Sequence, residues 1–143
     1  MSATLQVLVE QIGPSTAKVT ARSHSVFVDR PAAKGGADRG PLGGEYLLIA
    51  LGGCFTSHLL AAIRARAAEI QDVKVTVVGT LDGSPERFTA LTLDISAATK
   101  DEDLLRKLVT IAERSCQVTN TLRASVPISL LVQGSAVASV TTS

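Results

Sequence analysis

Residues 43–69 read GGEYLLIALGGCFTSHLLAAIRARAAE, and no other stretch constrains the fold of this chain as strongly. Between Tyr46 and Ile70 the apolar positions fall on nearly every side of a helical wheel, the pattern of a buried helix rather than a surface one. Such a helix needs other elements wrapped around it, so it is expected at the centre of the fold. Inside it, Gly52 and Gly53 immediately precede Cys54. Each glycine costs a helix up to about 1 kcal/mol relative to Ala. With no side chains on the turn before the thiol, another helix or a substrate can come close.

The flanking segments have a different period. TLQVLVEQI and TAKVTARSHSVFVDR alternate apolar and polar residues with β-branched side chains, and the Gly13 to Ser15 stretch between them has turn chemistry. They predict meandering antiparallel strands, with Arg22 and His24 on one face if their strand is unbroken. Pro31 to Gly44 is crowded with Gly and Pro, a long loop of the kind that borders functional sites. DVKVTVVGTLDG and FTALTLDISAAT form a hairpin across DGSPER. KDEDLLRKLVTIAERS opens with acids and spaces Leu104, Leu105, Leu108, Ile111 and Ala112 on one stripe, predicting an amphipathic helix. Cys116 follows at its C-terminal end, NTLRAS gives one short further turn, and VPISLLVQGS is a closing strand. The order strands, helix, strands, helix, strand makes the chain α+β with mostly antiparallel pairing. A single domain over residues 1–143 is expected, with 135–143 as a C-terminal tail.

A formal net charge of +1, no Trp, one Tyr and three Phe give neither the charge nor the stacking surface that a nucleic-acid partner needs. The first residues show no basic leader or signal core, and no apolar run is seen to reach the roughly 18 residues of a membrane span. The expectation is a soluble, cytoplasmic protein with no membrane partner. Cysteines in a reducing compartment are more often catalytic, redox or metal-binding than structural staples. Three readings of Cys54 stand side by side: a packed core thiol, a metal ligand, and a redox thiol working with Cys116. With two Cys and two His, and no C-x-x-C or H-x-x-x-H spacing, neither a metal nor another cofactor is expected. The redox reading requires the two cysteines to meet, and their spacing does not decide that.

A reactive cysteine must be a thiolate, and one several turns into a helix gains little from the helix dipole. A cation must come to it. The candidates are Arg22, Arg39 in the glycine-rich loop, and His58, which shares a helical face with Cys54 at i+4. Each also has a plainer reading as a strand-surface, loop or rim residue. Glu45, nine residues before Cys54, falls about half a turn out of phase at roughly 100° per residue and reads as a helix-start residue.

Asp29 to Cys54, DRPAAKGGADRGPLGGEYLLIALGGC, followed later by AERSCQVTNTL, resembles the OsmC/Ohr family of osmotically inducible and organic hydroperoxide resistance proteins. The likeness runs roughly from Ala21 to Val132. It implies an OsmC-like fold, with antiparallel sheets around a central helix in an intertwined homodimer, and thiol peroxidase chemistry. At matching positions it implies Cys54 as the peroxidatic thiolate and Cys116 as the partner that resolves the sulfenic acid to a disulfide. An organic hydroperoxide is then the substrate, with Leu51 and Phe55 in an apolar wall for it. An external dithiol, lipoyl-linked in the Ohr branch, is the reductant. The family's activating arginine is matched by Arg22, and Glu45 matches the acid of the broader OsmC-like branch. Two positions depart from the pattern: Gln117 replaces the proline after the second cysteine, and Gly44 stands where the Ohr branch has its arginine-pairing glutamate. The alternative function is a non-catalytic, small-ligand-binding or stress-associated dimer on the same scaffold.

Overall fold

A computed structural model describes residues 2–137. The chain divides into two compact units, one ending at Leu47 and the other beginning at Leu48.

In the first unit, β1 (Leu8–Gln11), β2 (Ala17–Ala21) and β3 (His24–Val28) form a three-stranded antiparallel sheet in that order. Val19 pairs with Val9 on one side and Val26 on the other. The expected unbroken strand through Arg22 is two strands: Ala21 pairs with His24, and Arg22 and Ser23 are the hairpin turn. Arg22 adopts a left-handed φ of 55°. This places Arg22 outside the strand, so the shared face with His24 does not exist. Alternation carried the reading across a turn that contains no Gly, Asn or Asp.

The Gly/Pro-rich loop is organised by Asp29, which is buried. Its carboxylate accepts from the Thr16 hydroxyl at 2.7 Å, the Arg30 N–H at 2.7 Å and the Arg39 N–H at 3.2 Å. A Cβ at Gly36 would overlap the Arg30 carbonyl, so this closed loop path needs glycine there. Arg39 lays its guanidinium 5.1 Å from the centre of the Phe27 ring, a cation–π contact rather than a freely solvated side chain. α1 (Gly43–Ala65) then begins, with Glu45 Oε1 accepting from the Leu42 N–H at 2.8 Å. That reach-back satisfies a donor otherwise orphaned at the helix start.

The second unit holds most of α1 and a four-stranded sheet in the order β4 (Gln71–Asp82), β5 (Arg87–Ala98), β6 (Ile128–Val132), β7 (Ser135–Ala136). The β4–β5 hairpin is antiparallel, and β6 joins β5 in parallel, Leu93 opposite Leu130. Between β5 and β6 lie α2 (Glu102–Ser115) and α3 (Gln117–Leu122). Asp101 caps α2 by accepting from the Leu104 N–H at 2.9 Å. Leu51, Phe55, Leu59 and Ile63, each four residues apart, place one stripe of α1 in the core. Leu91, Leu93 and Ile95 of β5 and Leu105, Leu108, Val109 and Ala112 of α2 complete it.

Two sequence expectations change here. Residues 135 and 136, expected in a tail, pair with β6, and Arg106 donates to the carbonyls of Val132 and Ala136 at 3.2 Å each. The rest of that segment, 138–143, lies outside the described residues. Second, α1 is 23 residues long and includes an 18-residue window of mean hydropathy 1.8, long and apolar enough to cross a membrane. Its buried stripe faces the sheet and α2, which identifies it as a core helix of this unit.

Candidate thiol site

Cys54 lies in the middle of α1, partly exposed, whereas Cys116 is fully buried where α2 ends and α3 begins. The break between those helices fixes Cys116. Its N–H donates to the Glu113 carbonyl as α2 closes, and its Sγ accepts from the Thr119 N–H at 3.4 Å as α3 opens. One residue thus caps two helices. An ion pair at 3.0 Å between Arg123, just after α3, and Glu113 of α2 ties the two helices together. Burial pushes the Glu113 carboxyl up, and Arg123 pulls it back.

The two cysteines, 62 residues apart in sequence, have interacting side chains, and both are free thiols. Burial pushes the Cys54 thiol up; the Val118 N–H pulls it back, the Cys116 side chain pushes it further, and the Gln117 N–H opposes. The first-turn amides of α3 therefore point at Cys54 and favour its thiolate. None of these groups carries positive charge. The Cys54 Sγ also donates to Gln117 Oε1 at 3.4 Å, and the same oxygen is 3.1 Å from His58 Nε2.

Gly52 and Gly53 divide their work. Gly52 is buried, and a Cβ there would come within 2.7 Å of Val77 Cγ2. The close neighbour is therefore strand β4, not another helix or a substrate. Gly53 has nothing within 4 Å of its would-be Cβ and helps line an open apolar groove of about 660 Å³ with Ile49, Leu60, Val75 and Val77. At 100° per residue, Cys54 and His58 lie more than about 120° around α1 from the groove's midline. The groove is on the other side of the helix from the thiol. Leu51 and Phe55, expected in a wall for substrate, have 0% exposure and are core residues.

Of the other expected site residues, Glu45 spends its carboxylate on the helix start and forms no ion pair among the described residues. Arg22 sits in the β2–β3 turn of the first unit, also without an ion pair among the described residues. Gln117, visible in sequence as the departure from proline, reaches Cys54 with its side chain, and His58, visible through its i+4 spacing, meets the same Gln117 oxygen. Among the described residues no group of three or more His, Cys, Asp or Glu is placed to hold a metal ion.

A family model described as OsmC-like protein matches residues 35–131. The chain belongs to the OsmC-like family. The matched region contains Glu45, Cys54, His58, Cys116 and Gln117, whereas Arg22 precedes it. Solved structures share the fold over nearly the whole chain. A hypothetical protein from Aquifex aeolicus superposes with a TM-score of 0.80 at 16% identity, covering 92% of this chain and 96% of that one. An organic hydroperoxide resistance protein OsmC from Legionella pneumophila gives 0.70 at 20% identity, covering 91% and 96%. The organic hydroperoxide resistance protein OhrB of Bacillus subtilis gives 0.69 at 20% identity, covering 92% and 98%. At these identities the structures establish the fold. No curated protein matches the chain.

Proposed function

We propose that this OsmC-like protein is a cytoplasmic, thiol-dependent peroxidase that reduces organic hydroperoxides. The observation that carries the proposal is the meeting of a partly exposed Cys54 with a buried Cys116. In the first step the Cys54 thiolate attacks the terminal oxygen of ROOH, the O–O bond breaks, and RO⁻ takes a proton to leave as the alcohol. Cys54 becomes a sulfenic acid. Cys116 then condenses with it, expelling water and forming the disulfide. An external dithiol restores both thiols by exchange and is itself oxidised. The family membership, with organic hydroperoxide resistance proteins among its structural relatives, supports a role in peroxide resistance.

A peroxidatic thiol works as the thiolate, yet burial opposes ionisation of Cys54 and no cation appears among the groups that set it. Arg22 is proposed as the residue that supplies the charge in the working assembly, a homodimer. The burial that raises the thiol is also what favours the second reading, a ligand-binding dimer with idle cysteines. One experiment separates them. Reduced protein is treated with one equivalent of cumene hydroperoxide beside Cys54→Ser and Cys116→Ser, and thiols and intact mass are measured. The peroxidase loses both thiols and about two mass units as the disulfide forms. Cys54→Ser does not react, and Cys116→Ser stops after one turnover at the sulfenic acid. Unchanged wild-type thiols would establish the second reading instead.

A further inference from the structure

Gln117 Oε1 stands between two groups that can donate a hydrogen bond to it: the Cys54 Sγ at 3.4 Å and His58 Nε2 at 3.1 Å. An amide oxygen only accepts. In this orientation the oxygen accepts from Cys54 as the S–H thiol and from the His58 tautomer that carries its proton on Nε2. Once Cys54 ionises, an amide oxygen facing the sulfur is repulsive. The remedy is a half-turn of the amide about its terminal torsion, which is soft and roughly two-fold. Nε2 of Gln117 then faces the same two neighbours with two N–H donors, one for the thiolate and one for His58 Nε2. His58 can accept that bond only when it is neutral and carries its proton on Nδ1.

We infer that Gln117 is a positioning residue that couples the ionisation of Cys54 to the protonation state of His58 through reversal of its side-chain amide. Through the amide, an imidazolium at His58 holds the oxygen inward and opposes the thiolate, against its own direct attraction for that charge; neutral His58 releases the amide to hold the thiolate. Gln117 is exposed and His58 is partly exposed. Among the described residues, two titratable groups share this cluster with Cys54. His58 is on its own helix, and Cys116 comes from the α2–α3 junction. From α3, among the described residues, come the uncharged Gln117 side chain and the amides of Gln117 and Val118. Val75 and Val77 of β4 line the opposite side of α1.

This inference deepens the proposed peroxidase but is tested without it. Cys54 alkylation by iodoacetamide is followed from pH 5 to 10 in the reduced protein, with the labelled peptide resolved by mass spectrometry. Gln117→Met keeps length but cannot hydrogen-bond to the thiolate, and its loss should slow alkylation at pH 7 about tenfold and move the profile to higher pH. Gln117→Glu can only accept when ionised; it should move the Cys54 profile still higher and raise the His58 titration seen by NMR. His58→Phe combined with Gln117→Met should add nothing beyond Gln117→Met alone. A Gln117→Met profile that overlays the wild type would overturn the coupling, whatever cumene hydroperoxide does. A shifted profile in a protein inert to peroxide would retain the coupling and discard the peroxidase.

Discussion

At Gly52 and Gly53 two identical neighbours meet opposite surroundings, and their substitutions should separate. A methyl group at Gly52 must fit against Val77 Cγ2 at 2.7 Å, and valine, stiff at its Cβ, cannot swing away. Gly52→Ala should destabilise the protein by about 1–3 kcal/mol, as overpacked cores do. Gly53→Ala meets nothing and gains helix propensity of up to about 1 kcal/mol in the isolated chain. Chemical denaturation of the two variants would check the order. Equal losses would mean that the groove beside Gly53 is filled in solution. The glycine pair was visible in sequence as a site of close approach, but not which residue would be approached or by what. That depends on the face each presents, and one step along a helix turns a side chain by about 100°.

At the level of elements, the loop between β3 and α1 depends on a carboxylate. The Thr16 hydroxyl above all holds the Asp29 carboxyl well below the usual carboxylate range, and the N–H groups of Arg30 and Arg39 add to it against the opposing effect of burial. A depressed folded pKa means stability fully present above the unfolded value, near pH 4, and lost as the pH falls toward the folded one. Asp29→Asn should therefore flatten the acid limb of the stability curve measured by thermal melting between pH 2 and 7. Asp29→Ala should in addition expose Arg30, Lys34 and Arg39 to trypsin at neutral pH. An acid limb identical to wild type would show that other carboxylates carry it. The loop itself was legible from its Gly and Pro, and α2 from its stripe, which gains Val109 in the structure. The β2–β3 turn was not legible, because Arg22 turns the chain in a left-handed conformation without a residue type that favours it. The parallel pairing of β6 with β5 was hidden for another reason: a strand's own pattern does not name its neighbour.

For the whole molecule, the element order and α+β class followed from periodicity, and the meeting of Cys54 with Cys116 from resemblance alone. What no local pattern could supply is the fate of the surface left over. Ile49, Leu60 and Val78 are exposed in the second unit, and Leu8, Val9 and Phe27 in the first. Exposed apolar surface on this scale marks interaction sites, and a small chain has limited capacity to cover it alone. The proposed homodimer assigns the groove lined by Ile49, Gly53 and Leu60 to a second copy, on the side of α1 away from Cys54. The thiol would then stay open to peroxide while the helix is covered. Sedimentation equilibrium of the wild type should give twice the chain mass at micromolar concentration. Ile49→Glu with Leu60→Glu should give single chains or weak, concentration-dependent association, since two buried charges without partners oppose any apolar contact. If the dimer also delivers the charge that Cys54 lacks, the dissociated variant should lose Cys54 alkylation rate at pH 7 in parallel. A wild type that sediments as one chain would leave the groove without this occupant, and Cys54 would then have to be activated within the single chain.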